Sequence, residues 1–286
     1  MLQLDHAQQE RLRYASFVVE SAQLVYVEAP KAGCTSLKHT IASLYGVDYS
    51  RTSTTLKAEK SSSLGIHDRS LLAVPSLLEF GEEGASAIVS SNDYIRFCLV
   101  RNPFLRLVSV WLDRLLCRAI SPLNPLVCAL GFPKYRAEIR HLQIEFAQFV
   151  DYLFKHEAPT FSNHHWWRMV DLLMPDALNY NCVIKVERPE LLKSVERHVV
   201  QHGHVWPGIP KFNKSLLNIG FELYNHVSAK RVLEIYEEDF TRFSYDKFIP
   251  RMNPTSITLP DESLVNSIQE RNQRVSFLSL SARGLI

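Results

Sequence analysis

The chain has 286 residues, 46% of them hydrophobic, enough apolar material for a large core and too much for a disordered or disulfide-stapled peptide. Its formal net charge of +2, with no lysine–arginine block, argues against a nucleic-acid partner while permitting a local anion site. Five cysteines, an odd number without framework or metal-ligand spacing, fit a reducing compartment.

The best apolar stretch, near residues 17–27, is interrupted by Glu20 and Gln23, so no segment reaches the length of a membrane helix. Residues 1–13 do not read as a signal peptide either. The expectation is a cytoplasmic protein with no integral membrane segment. Its oligomeric state is unreadable from sequence.

In chain order, residues 24–28 read as a buried strand rich in β-formers. Pro30 breaks the run, and Gly33, Thr35 and Ser36 open a segment with helical spacing at Leu37, Ile41 and Leu44. Strand, tight loop and helix N-terminus, with Lys31 at the front of the loop, make an anion site of the kind nucleotide phosphates use. Lys38 and the two hydroxyls would add charge and donors there. The loop is not a Walker A loop, because Lys31 precedes Gly33 and no Gly-Lys-Ser/Thr string occurs. An ordinary βα turn with a chance lysine is the alternative.

A second strand, residues 95–100, ends abruptly in Arg101, and Asn102-Pro103 then suits an N-cap with proline at the first helical position. Arg101, with Ser109 eight residues on, could grip a phosphate, since a guanidinium engages two oxygens at once. A surface arginine at a strand end is the bland reading. Strands near 24–28, 86–90, 95–100 and 182–186 alternate with helices near 34–45, 103–117, 145–156, 188–201 and 228–240. That order predicts a three-layer, P-loop-like α/β fold with a central parallel sheet flanked by helices. Both phosphate segments fall at carboxyl ends of strands, where such sheets bind ligands. No linker or repeat divides the chain, so residues 1–286 read as one domain with a core near 24–247. Residues 117–145 read as an acceptor-side insertion, and both ends as additions of unassigned role.

The strings PKAGCTSLK at 30–38 and VRNPFLRLVS at 100–109 together resemble the sulfotransferases, specifically the carbohydrate O-sulfotransferase branch of the chondroitin, dermatan and HNK-1 enzymes. Weaker likenesses follow in FAQFVDYLF at 146–154, Asn163-His164-His165-Trp166, IKVER at 184–188, PKFNKS at 210–215 and LEIYEEDFTRFSYD at 233–246. The resemblance implies a sulfotransferase moving the sulfuryl group of 3′-phosphoadenosine 5′-phosphosulfate (PAPS) to a hydroxyl of a carbohydrate or glycan precursor. It implies that Lys31, Ala32, Gly33, Cys34, Thr35 and Ser36 hold the 5′-phosphosulfate and that Arg101 and Ser109 hold the 3′-phosphate. Lys214 and Ser215 would add phosphate contacts, by resemblance only. Animal members of the family carry an N-terminal Golgi anchor that is not seen here. Residues 111–146 are idiosyncratic, so the acceptor's identity does not carry over.

The chemistry asks for alignment and charge stabilisation, with Lys31 on the oxygen that leaves with 3′-phosphoadenosine 5′-phosphate (PAP). A general base is expected to be histidine. His67 is the first candidate and His165 the second, with a carboxylate or no base as the other options. No metal is expected. Trp166-Trp167 could stack on a sugar but more often such pairs pack in a core. Two other functions stay open: an ATP-dependent P-loop-type phosphotransferase, disfavoured by the missing Walker elements, and a catalytically silent PAP- or PAPS-binding protein.

Overall fold

A computed structural model describes residues 3–47, 66, 67, 69, 72–156, 163–210, 217–248 and 258–281. Helix α1 (His6–Ala15) leads into strand β1 (Ser16–Val19), then β2 (Leu24–Val27), α2 (Cys34–Leu44), α3 (Gly81–Ser90) and β3 (Ile95–Val100). Next come α4 (Pro103–Val110), α5 (Pro125–Leu130), α6 (Ile139–Lys155), α7 (Met169–Leu173), α8 (Pro175–Leu178) and β4 (Cys182–Lys185). The last helices are α9 (Lys193–Gln201), α10 (His226–Ile235), α11 (Glu237–Arg242) and α12 (Glu262–Ser281). The chain folds into two compact units: Met1–Arg101 with Met169–Lys214, and Asn102–Arg168 with Ser215–Ile286.

The first unit is α/β and holds the whole sheet, in order β1-β2-β3-β4. β2, β3 and β4 are parallel, with Leu24 opposite Ile95 and Phe97 opposite Cys182. β1 pairs antiparallel with β2, Ser16 opposite Val27, so the sheet is mixed and not wholly parallel as expected. A short 3₁₀ turn over Glu20–Ala22, closed by Gln23 at φ 44°, lets residues that read as an addition fold back as an edge strand. β1, β2 and β3 are buried along their whole length, and a row of rings from Phe17 through Tyr26 to Phe97 crosses them at 5.9 and 5.1 Å.

The strand expected at 86–90 is the second half of α3. Its buried residues, Ala85, Ile88 and Val89, recur at three and four, not two, and Glu82 and Glu83 in its first turn suit the positive end of a helix. A short run with three apolar residues, Ala87 to Val89, carries both periods, and its neighbours decided against the strand. α1 begins at a capping box in which Asp5 accepts from the Gln8 backbone and Gln8 accepts from that of Asp5.

The second unit is helical. Asn102 caps α4 through its Oδ1, with Pro103 at the first position, as the Asn-Pro pair predicts. The single helix expected over 103–117 instead passes at Trp111–Leu116 into a π-helical turn. Its core joins Phe104, Trp111, Phe146, Phe149, Trp166, Tyr236 and Phe240, which are all but fully buried. The insertion contributes to it: Leu126, Val127 and Tyr135 are buried. So does the C-terminal tail. Val265 is buried, Gln269 donates to the Leu116 carbonyl at 2.7 Å, and Asn272 to that of Cys117 at 2.6 Å.

Three backbone carbonyls around Trp166 are held by side chains from other elements. Arg106, 2% exposed, donates to Trp167 O at 2.7 Å and His165 O at 3.0 Å, and the Tyr236 hydroxyl donates to Trp166 O at 2.6 Å. Substitution Arg106→Leu strips two partly buried acceptors of their charged donor, and should lower unfolding free energy by about 2–4 kcal/mol in urea titrations. Tyr236→Phe, which removes one neutral bond, should cost about 1 kcal/mol.

Candidate active site

The four residues of β2 are apolar or aromatic on both faces, which buries the strand and delivers the next residues to its carboxyl end. From there Glu28 to Gly33 turn into α2. Two residues of that turn take left-handed backbone, Lys31 at φ 66° and Gly33 at φ 81°. Gly33 is the N-cap of α2, and a Cβ there would lie 3.4 Å from Leu99 Cδ2 and 3.9 Å from Val186 Cγ1. Glycine is therefore required both by conformation and by the close approach of β3. Lysine has no such freedom, so Lys31 holds a strained conformation costing roughly 1–3 kcal/mol. No sequence pattern marks that strain.

The first intrahelical bond of α2 runs from Leu37 N to Gly33 O at 3.2 Å, which leaves the amides of Cys34, Thr35 and Ser36 at the positive end of an eleven-residue helix. Gly33 offers no side-chain cap. Arg101 leaves the end of β3 and donates from Nη1 to the Lys31 carbonyl at 3.2 Å. The two motif segments thus meet, although 70 residues separate them. Lys185, at the end of β4 and within the IKVER string, adds a half-buried third cation to the carboxyl edge of the parallel strands. Ala32 is fully buried under the loop. Burial, then the Glu28 carboxylate, push the Cys34 thiol above its ordinary range, so Cys34 is a small neutral neighbour of the cradle and not a nucleophile.

Lys38 does not project beside the cradle as a phosphate donor. It is 1% exposed and forms an ion pair with Glu28 at 2.7 Å, beneath the rings of Tyr14 and Phe17. Its Nζ also lies 3.0 Å from His67 Nδ1, and His67 Nε2 lies 3.2 Å from Thr35 Oγ1. The Tyr14 hydroxyl donates to the His67 carbonyl at 3.4 Å. The structure therefore brings His67 to the loop, with one ring nitrogen on a loop residue and the other facing an ammonium.

Ser109 and His165 belong to the second unit. Ser109 is half-buried on α4. His165 sits in a short 3₁₀ turn capped by Asn163. Its Nδ1 lies 2.5 Å from Asn163 Oδ1 and its Nε2 2.6 Å from an Arg114 guanidinium nitrogen. An amide oxygen only accepts and a guanidinium only donates, so the ring is neutral, protonated on Nδ1, with its lone pair turned to a cation. Trp166 is fully buried edge-on to Phe149, which makes it core and not a sugar platform. Lys214 and Ser215 lie outside the described residues. Among the described residues no group of three or more His, Cys, Asp or Glu is placed to hold a metal, and no helix is long and apolar enough to cross a membrane.

The model of the sulfotransferase family matches residues 14–246. The chain belongs to the sulfotransferase family. Its relatives include carbohydrate sulfotransferase 10 of Xenopus laevis, 26% identical over 251 residues that cover 80% of this chain and 66% of the relative. The same enzyme of Mus musculus is 27% identical over 248 residues, 81% of this chain and 67% of the relative. Carbohydrate sulfotransferase 11 of Danio rerio is 24% identical over 245 residues, 80% and 66%. The chain thus spans about two thirds of the length of these relatives. No solved structure matches.

The sulfotransferase match begins at residue 14, within α1, so it takes in β1 as well as the three parallel strands, whereas the core expected from sequence began at 24. It ends at 246, short of α12, whose burial ties it to the second unit all the same. Within the sulfotransferase loop, Lys38→Met leaves Glu28 buried without its cation. It should cost about 3–5 kcal/mol in urea unfolding, and Lys38→Met with Glu28→Gln should recover most of that loss. Thiol labelling at pH 7.5 should modify exposed Cys128 first and spare Cys34.

Proposed function

We propose that this sulfotransferase-family protein transfers the sulfuryl group of PAPS to a hydroxyl of a carbohydrate or glycan precursor. The observation that carries the reading is the contact of Arg101 with the Lys31 carbonyl, which joins the two motifs into one cationic cradle at the ends of β2 and β3. The residues fit an anion of this kind: a glycine N-cap, three amides at a helix N-terminus and two basic side chains. The names of the relatives, all carbohydrate sulfotransferases, support a carbohydrate acceptor.

The donor supplies an activated sulfuryl group, whose bond to the 5′-phosphate oxygen breaks as the acceptor oxygen attacks sulfur in line and gives up its proton to a base or to water. Lys31 is assigned to the departing oxygen, where its charge offsets the negative charge that develops. The amides from Gly33 to Ser36 hold the 5′-phosphate, and Arg101 the 3′-phosphate. Ser109, Lys214 and Ser215 keep the phosphate roles that the family's motifs give them. A P-loop-like three-layer arrangement is part of the same reading.

Thermal unfolding in parallel titrations with PAP and with ATP plus magnesium tests the donor. A ligand at a hundred times its Kd adds about 2.7 kcal/mol, so PAP should raise Tm by roughly 5 °C. A shift with ATP and magnesium but not with PAP overturns the proposal in favour of a phosphotransferase. Lys31→Ala, which keeps a nonglycine residue at the same positive φ, should lower turnover by roughly 10²–10³ while PAP affinity falls far less. Equal losses of both would mean that Lys31 only holds the nucleotide.

A further inference from the structure

We propose that His67 is a positioning residue that donates from Nε2 to the Thr35 hydroxyl, its tautomer fixed by the buried Lys38–Glu28 pair. The ligand side of the inference rests on the sulfotransferase reading above. The tautomer does not.

An ammonium has three protons and no lone pair, so across the 3.0 Å contact Lys38 Nζ donates and His67 Nδ1 accepts. A neutral imidazole carries one ring proton, which must then lie on Nε2. Nε2 is 3.2 Å from Thr35 Oγ1, so the hydroxyl oxygen accepts that proton's hydrogen bond. Thr35 stands in the first turn of α2, where the 5′-phosphate is assigned, and a hydroxyl held by the histidine from behind is oriented toward that end of the helix. Lys38 is held in turn. Glu28 pairs with it at 2.7 Å, both side chains are at most 3% exposed, and Arg11 donates to the Glu28 carbonyl. Tyr14 fixes the histidine backbone through its carbonyl. The chain Glu28–Lys38–His67–Thr35 therefore runs from the end of β2, beneath the loop, to the loop's own hydroxyl.

The geometry also opposes proton abstraction by His67. Its basic nitrogen is the one that accepts from Lys38, and a lone pair so used cannot take a second proton while that bond lasts.

Three measurements test this on the full chain. A ¹⁵N–¹H ring spectrum at pH 7.5, with His67 assigned by the signal lost in H67Q, should show the Nε2–H tautomer. Protonation on Nδ1 would overturn the proposal outright. His67→Leu should weaken PAP binding and raise KM for PAPS about tenfold, the worth of one hydrogen bond. His67→Gln should rescue most of that loss, because its amide offers an acceptor to Lys38 and a donor to Thr35. A Gln variant that binds PAP normally but loses roughly a hundredfold or more in kcat would instead make His67 the general base. In a double-mutant cycle, Thr35→Val with His67→Leu should cost no more than either change alone, and additive losses would show that the two residues do not act together. A wild-type protein indifferent to PAP sinks the phosphate half of the inference and the donor reading together. The ring spectrum still decides the tautomer by itself.

Discussion

The ion pair between Glu28 and Lys38 spans the loop between β2 and α2 from beneath. One partner follows the last residue of β2 and the other lies on the second turn of α2, so a single 2.7 Å contact fixes where the strand stops relative to where the helix begins. Everything between them, including the left-handed turns at Lys31 and Gly33, has to close in the few residues left. A buried pair of this kind is not a simple gain in stability, because both ions lose their water. Its value is geometric. Two charges that cannot be separated without leaving one of them bare make the loop's conformation hard to relax, and so help hold a lysine at φ 66°.

A mild net charge is compatible with the anion site proposed above. The cradle needs no large basic surface. It needs amides at a helix N-terminus, one lysine at the front and one arginine from the neighbouring strand. Lys38 is paired with Glu28 below the loop, while Lys31, Arg101 and Lys185 stand at the carboxyl ends of the parallel strands.

The sequence made the parallel strands and both loops legible because each signal was local. A short apolar run closed by Pro or Asn-Pro says strand then turn, and the structure has β2 and β3 where those runs lie. Pairing is not local. β1 belongs to the sheet only because a 3₁₀ turn reverses the chain at Glu20–Ala22, and nothing in SFVV distinguishes an antiparallel edge from a stray extended segment. Residues 86–90 failed for a different reason, since the three apolar residues Ala87 to Val89 suit either period and only the flanking Glu82, Glu83 and Ala85 decide for a helix. The site shows the same division. The role of Lys31 belongs to the proposal, but its position in the turn after β2 was legible from the loop's composition. Lys38 was not, because a lysine four residues into a helix points at the ligand or beneath it according to which face α2 buries, and that depends on β1, Tyr14 and Phe17.

The segment VRNPFLRLVS carries two arginines five residues apart, and they do different work. Arg101, at the end of β3, reaches the loop carbonyl that shapes the cradle. Arg106, on the buried face of α4, spends its guanidinium on the carbonyls of His165 and Trp167. Read as a string, the motif looks like one phosphate-binding unit. Read in three dimensions, its first half meets the β2–α2 loop and its second half fixes the turn that bears His165, while Asn102 and Pro103 between them set the start of α4. The arginine at the strand's carboxyl end stands where the proposed ligand site lies; the one buried on a helix face is accounted for by the backbone it satisfies.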